Sequence, residues 1–120
     1  MQKKHKILVA DDDPAIVDSI KYLLEDEGYE VETTVNGETV GKMFEHKPDL
    51  LLLDIWMSGQ DGRDICKALK SQNTTKHIPI IMISANKDTE HIAKEAGADD
   101  FLGKPFDIDA LLKKVKKQLS

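Results

Sequence analysis

The 120-residue chain has one cysteine, no long apolar run and no excess of basic residues. A lone Cys66 excludes an internal disulfide and suits a reducing compartment. No apolar stretch approaches the ~18 residues of a membrane helix, and the polar start MQKKHK is unlike a signal peptide. Asp and Glu outnumber Lys and Arg by 22 to 17, and the net charge of −5 disfavours nucleic-acid binding. We therefore expect a cytoplasmic domain that neither inserts into membranes nor binds nucleic acid directly.

Internal repeats, low-complexity tracts and linkers are absent as well. The length fits one compact domain over residues 1–120, large enough for a real core. Apolar residues make up 40% of the chain and charged residues 32%, as in ordinary globular proteins.

Apolar segments of two periodicities alternate along the chain. Five short segments are typical of strands: 6–10, 30–35, 49–54, 78–84 and 98–102. Helical spacing follows each of them: 14–27, a helix marked by Val40, Met43 and Phe44, a helix marked by Ile65, Ala68 and Leu69, the weaker segment 87–96, and a last helix from Ile108 to Leu119. In the first helix we predict Asp13 as the N-cap, Pro14 as the first residue and Gly28 as the stop.

This alternation predicts an α/β protein with a five-stranded parallel sheet covered by helices on both faces, a doubly wound fold. The first, third and fourth strands are the most uniformly apolar and belong at the centre, whereas EVETTV at 30–35 alternates with polar residues and belongs near an edge. Right-handed crossovers then favour the strand order 2-1-3-4-5. In such sheets, ligands bind at the carboxyl ends of the strands, where the winding reverses.

Polar residues stand at those strand ends. They are Asp11, Asp12 and Asp13 after the first strand, Asp54 at the end of the third, Ser84 at the end of the fourth, and Lys104 after the fifth. Clustered carboxylates repel one another, and a bound Mg²⁺ relieves that repulsion. The ion would also neutralise an incoming phosphoryl group. Asp54 would then attack the phosphorus atom of that group in line, while Ser84 and Lys104 contact its remaining oxygens. Taken singly, the aspartates and Ser84 also suit helix capping, and only Asp13 is needed as a cap.

Four segments in order resemble the response-regulator receiver domain: ILVADDDPAI, PDLLLLDIWMSGQDG, IPIIMISA and GADDFLGKPFD. The likeness spans nearly the whole chain and implies a flavodoxin-like fold. It implies Asp54 as the phosphoacceptor and Mg²⁺ held by Asp11, Asp12, Asp54 and the main-chain carbonyl of Trp56. It further implies Ser84 as the switch hydroxyl, Lys104 as the partner of phosphate and carboxylates, Phe101 as the switch aromatic, and a cis Lys104–Pro105 bond. Taken alone, Phe101 also suits a core position.

The resemblance also implies partners: a sensor histidine kinase or histidine phosphotransfer protein upstream, and an effector protein or domain downstream. A complete single-domain regulator and a receiver cut from a larger protein both fit this sequence. An aspartate-based phosphatase would usually carry a second aspartate two residues after its nucleophile, where this chain has Trp56, and a cap insertion. A dinucleotide-binding domain needs a glycine loop where the first strand here leads into DDDP. Loss of Asp54 or Lys104 would indicate a degenerate receiver, and both are present.

Three further residues near the predicted site each lead to an expectation about the loop or the phosphoryl group. Ser58 stands where the family usually has proline, so we expect a looser loop after the third strand. The indole of Trp56 either shields the phosphoryl position from water or packs on the neighbouring helix. Asn86 would flank the same path and orient water less well than a carboxylate, so we expect a comparatively long-lived phosphoryl group.

Overall fold

The computed structural model describes residues 4–57, 59–85 and 89–119. The expectations for Ser58 and Asn86 therefore fall outside the described residues. Five strands are present in this part of the chain: β1 (Lys6–Ala10), β2 (Glu30–Thr34), β3 (Leu50–Asp54), β4 (Ile80–Ser84) and β5 (Asp100–Gly103). Five α-helices accompany them in the same ranges: α1 (Pro14–Asp26), α2 (Val40–Met43), α3 (Gly62–Lys70), α4 (Glu90–Glu95) and α5 (Ile108–Leu119).

The strands form one parallel sheet in the order β2-β1-β3-β4-β5, as predicted. The buried strands β3 and β4 lie near the centre, and the partly exposed β2 forms an edge. In the register of the sheet, Ala10 of β1 lies opposite Leu53 of β3, and Asp54 lies opposite Ile83 of β4. The carboxyl ends of β1, β3 and β4 therefore meet at one edge.

The run of four leucines in β3 supplies both faces of the sheet. Because side chains alternate along a strand, Leu51 and Leu53 enter the core under α2, α3 and α4. Leu50 and Leu52 enter the core under α1 and α5. A strand with helices on both sides needs apolar residues at consecutive positions, which explains the unbroken run.

The first helix begins and ends as the sequence predicts. The carboxylate of Asp13 accepts a hydrogen bond from the backbone N–H of Ala15, and Pro14 is the first helical residue. Gly28 has a φ of 96°, a conformation that glycine adopts without steric cost, and it lies directly after the terminal Glu27.

Several element boundaries differ from the predictions for local reasons. β4 begins at Ile80, two residues late, because Pro79 has no N–H to donate to a neighbouring strand. β5 begins at Asp100 because the Ala98 N–H still bonds to the Ala93 carbonyl at the end of α4. The second helix is shorter than a regular helix: 3₁₀ turns at Gly37–Thr39 and Phe44–His46 flank the four residues of α2.

Cys66 lies fully buried in the core on the α3 side of the sheet, which fits a small core residue. Burial raises the pKa of its thiol to about 11, with Asp99 adding to the rise and Lys70 opposing it. No helix among the described residues combines the length and apolar character required to cross a bilayer.

Candidate phosphoacceptor site

Three carboxylates meet at the carboxyl edge of the sheet. Oxygens of Asp11, Asp12 and Asp54 all lie within 4.8 Å of one another. Asp11 is fully buried, Asp54 is 5% exposed and Asp12 is exposed to solvent. The ends of β1 and β3 bring them together, as the strand order predicted. Hard oxygen ligands so close together match the preference of Mg²⁺ and Ca²⁺, and the cluster has the donors to hold such an ion.

Lys104 provides the positive charge of this site. Its Nζ lies 2.6 Å from Oδ2 of Asp11 and 3.5 Å from Oδ2 of Asp54. Burial lowers the pKa of Lys104, but its contacts with Asp11 and Asp54 outweigh burial, so the net pKa is raised and the ammonium is charged at neutral pH. The backbone N–H of Lys104 donates to the Ser84 carbonyl at 2.7 Å. The Lys104–Pro105 peptide bond is cis, as expected.

The buried environment of Asp54 changes its titration. Burial is the largest cause, and together with the charges of Asp11 and Asp12 it raises the pKa of Asp54 to about 6. The charge of Lys104 and a hydrogen bond from the backbone N–H of Trp56 to Oδ1, 3.2 Å long, oppose the rise. The carboxylate is therefore mostly ionised at pH 7, which is the form that a nucleophile requires.

The backbone around Asp54 is held against the start of α3. The Gly62 N–H donates to the Ile55 carbonyl at 2.8 Å, and a methyl group at position 62 would overlap the Asp54 carbonyl oxygen. Only glycine permits this approach. Gly62 was not among the predicted site residues, although a glycine at the first position of a helix is a visible signal.

Ser84 and Phe101 lie on the two strands beyond β3. Ser84 is fully buried at the end of β4, one strand away from Asp54. Phe101 in β5 is half-buried and packs against the core on the α3 side of the sheet. The expectation of a core position for Phe101 therefore holds in part. Ser84 therefore lies at the carboxyl end of β4, next to the site. Phe101 lies further from that end of the sheet, opposite Met82 in the register of β4 and β5.

The side chain of Trp56 lies against α3. Its ring centroid is 4.9 Å from the guanidinium carbon of Arg63, in the first turn of that helix, and the residue remains 47% exposed. This contact agrees with the expectation that Trp56 packs on the neighbouring helix. The other expectation, that the indole shields the phosphoryl position from water, stays a prediction. Arg63 itself was missed, because no local pattern links residues seven positions apart across a loop.

Fold and site together define a class: doubly wound α/β proteins with an acidic cluster and a lysine at the carboxyl edge of the sheet. The family model of the response regulator receiver domain matches residues 7–116. The chain belongs to this family and is the receiver domain of a two-component system.

Three solved structures illustrate the similarity. The chemotaxis response regulator CheY4 of Vibrio cholerae is 31% identical, with a TM-score of 0.90 over 98% of this chain and 100% of that one. The receiver domain of a signal transduction histidine kinase from Syntrophus aciditrophicus is 32% identical, with a TM-score of 0.88 over 96% and 89%. NtrX from Brucella abortus is 34% identical, with a TM-score of 0.86 over 98% of this chain and 27% of that one.

Proposed function

We propose that this domain accepts a phosphoryl group on Asp54 from the phosphohistidine of a sensor histidine kinase or a histidine phosphotransfer protein, in the cytoplasm. The observation that carries the proposal is the meeting of Asp11, Asp12 and Asp54 with Lys104 at one edge of the sheet. The domain promotes its own phosphorylation and slow dephosphorylation and acts on no separate substrate. In this proposal, residues 1–120 form a single receiver domain.

The chemistry follows from the two oxygens of Asp54. A carboxylate oxygen forms a bond to phosphorus while the bond between phosphorus and the histidine nitrogen breaks, and the imidazole leaves with the electron pair. Oδ1 is held by the Trp56 N–H, and Oδ2 faces the Lys104 ammonium at 3.5 Å. Lys104 is therefore placed to move towards the negative charge that arrives on phosphorus and to give up part of its contact with Asp11.

The donor set also fits a Mg²⁺ cofactor. Asp11, Asp12, Asp54 and the main-chain carbonyl of Trp56 would hold the ion, and the carboxylate oxygens within 4.8 Å of one another support this. When bound, Mg²⁺ supplies positive charge for the phosphoryl oxygens. Oδ1 of Asp11 accepts a hydrogen bond from the Asp13 N–H at 3.0 Å, which fixes this ligand before any ion arrives.

We expect Asp12→Asn to raise the thermal stability of the metal-free protein and to weaken Mg²⁺ binding. The substitution removes repulsion with Asp11 and Asp54, and because Asp12 is exposed, the gain is at most about 1 kcal/mol. Melting curves with and without Mg²⁺ measure both effects. Asp13→Asn is the matched control, since it removes the same charge one residue away and keeps the helix cap. A metal-free Asp12→Asn protein that melts below the wild type would argue against the cluster.

Ser84 and Phe101 connect the site to a partner-binding surface in this proposal. Ser84 is buried at the end of β4, and its backbone carbonyl accepts the Lys104 backbone N–H, which supports a role for its hydroxyl as a contact of the phosphoryl oxygens. Phe101 lies half-buried on the neighbouring strand β5, three residues before Lys104. Movement of Ser84 towards phosphate would free space that Phe101 can enter, and an effector protein or domain would recognise the changed surface.

An apolar surface beside the site suits the upstream partner. Ile16 and Leu23 of α1 line a cavity of about 580 Å³ together with Phe106 and Lys104. Tyr22, on the same helix, is 72% exposed. Exposed apolar and aromatic side chains next to the phosphoacceptor are typical of a protein interface. We propose that the kinase or phosphotransfer protein docks here and presents its phosphohistidine to Asp54.

The test of the proposed function is phosphorylation by acetyl phosphate with Mg²⁺, followed by intact-mass spectrometry. We expect one acid-stable, base-labile phosphoryl group on the wild type and none on Asp54→Asn. Asp26→Asn, an exposed aspartate at the end of α1, is the control and should be labelled fully. Equal labelling of Asp54→Asn and the wild type would refute the assignment of Asp54.

A further inference from the structure

Asp61, Arg63 and Trp56 form a chain of contacts beside the phosphoacceptor. The Arg63 guanidinium makes a two-pronged contact with Asp61, with Nε 3.0 Å from Oδ1 and Nη2 2.5 Å from Oδ2. The same guanidinium lies over the Trp56 ring, whose centroid is 4.9 Å from the guanidinium carbon. A planar guanidinium held at its edge by a carboxylate presents its face to an aromatic ring in a fixed orientation.

The charges of this chain support each other. The side-chain hydrogen bonds of Arg63 lower the pKa of Asp61, although burial opposes them, and the same bonds raise the pKa of Arg63. Asp61 also accepts the Arg63 backbone N–H at 2.8 Å as the N-cap of α3. One carboxylate therefore fixes both the start of the helix and the guanidinium on it.

The helix that carries Arg63 is anchored to the backbone of the phosphoacceptor strand. The N–H of the adjacent Gly62 donates to the Ile55 carbonyl, and a methyl group in the place of the Gly62 hydrogen would overlap the Asp54 carbonyl oxygen. The backbone N–H of Trp56 donates to the Asp54 carboxylate. The stack thus joins two segments whose backbones both lie against Asp54.

We propose that Arg63 is a positioning residue that holds the Trp56 indole beside the phosphoryl position and thereby slows hydrolysis of the phosphorylated domain. Hydrolysis needs a water molecule in line with the bond that breaks, and a fixed ring blocks part of that approach. Because Trp56 is 47% exposed, its side chain would sample several rotamers without a partner. This inference rests on the proposed function, because it concerns the lifetime of phosphorylated Asp54.

The test compares decay of the phosphoryl group in variants labelled with acetyl phosphate and then freed of donor. Exposed cation–π contacts change a conformational equilibrium roughly two- to fivefold, so we expect Arg63→Gln to accelerate decay by about that factor. Trp56→Asn should accelerate it at least as much, and the double variant should decay like Trp56→Asn alone. Asp61→Asn should resemble Arg63→Gln, because asparagine keeps the cap but lacks the second carboxylate oxygen.

Two further measurements separate positioning from a general effect of charge or stability. Lys67→Gln removes a positive charge one turn further along α3, at an exposed position, and should leave the decay rate unchanged. Trp56 is the only tryptophan, so time-resolved fluorescence anisotropy of the unphosphorylated protein reports its ring motion directly. We expect faster local motion in Arg63→Gln and Asp61→Asn, and wild-type motion in Lys67→Gln.

The outcomes are distinguishable. A labelled wild type whose decay rate equals that of Arg63→Gln overturns this inference and leaves the proposed function intact. Equal acceleration by Arg63→Gln in the wild-type and Trp56→Asn backgrounds also overturns it, because Arg63 would then act without the indole. A wild type that takes no label overturns the proposed function and this inference with it.

Discussion

Lys104→Met is expected to lower the free energy of unfolding of the metal-free domain by roughly 2–4 kcal/mol at pH 7. The substitution leaves the fully buried Asp11 without its ammonium partner at 2.6 Å and removes the nearest positive charge from Asp54. A buried carboxylate without a counter-charge is costly, whereas methionine keeps most of the apolar stem of lysine. The hydrogen bond from the Asp13 N–H to Asp11 remains and limits the loss.

Chemical denaturation in the presence of a metal chelator measures this loss. Lys117→Met, at an exposed position of α5, is the matched control and should change stability by less than about 0.5 kcal/mol. The double variant Asp11→Asn with Lys104→Met should recover much of the loss, because it removes the stranded charge. If Lys104→Met is no more destabilised than Lys117→Met, the contact between Lys104 and Asp11 does not support the fold.

Asp54→Asn should have the opposite effect and stabilise the metal-free domain by up to about 3 kcal/mol above pH 7. The folded pKa of Asp54 is about 6 and its ordinary value is 3.8, and each pH unit of difference corresponds to about 1.4 kcal/mol. Asparagine keeps an oxygen for the Trp56 N–H and leaves Lys104 paired with Asp11. Only the buried charge is removed.

The pH dependence of this effect has a definite sign. Below about pH 3.8 the carboxyl is protonated in both the folded and the unfolded chain, and Asp54 carries no penalty. Between about pH 4 and 6 the unfolded chain releases its proton first, so the stability of the wild type falls relative to Asp54→Asn. Above about pH 6 both states are ionised and the difference is constant.

Denaturation midpoints of the two proteins, measured without metal from pH 4 to 8, test this profile. Asp26→Asn, an exposed aspartate at the end of α1, should show no comparable trend. If the proposed Mg²⁺ site is correct, Mg²⁺ should narrow the gap at pH 7.5, because the wild type would bind the ion more tightly than the variant. A gap that stays constant across the range would contradict a raised pKa of Asp54.

The irregular parts of the fold depend on contacts between residues that are far apart in the sequence. The apolar positions Val40, Met43 and Phe44 indicated a helix, but the structure divides this segment into a four-residue helix between two 3₁₀ turns. Lys47 then ends the segment with a φ of 53°, in the left-handed region. Periodicity indicates which side chains face the core, and it does not distinguish one helical hydrogen-bonding pattern from another.

The sequence by itself determined the strand order and the edge at which Asp11, Asp12, Asp54, Ser84 and Lys104 would gather. Apolar periodicity is a local property, and handedness together with burial leaves few ways to arrange five parallel strands. Tertiary structure alone decided that Lys104 lies closer to Asp11 than to Asp54, that the pKa of Asp54 rises to about 6, and that Arg63 stacks on Trp56. These properties depend on distances and burial among residues far apart in the chain, because electrostatic energies change steeply with separation and with access to water.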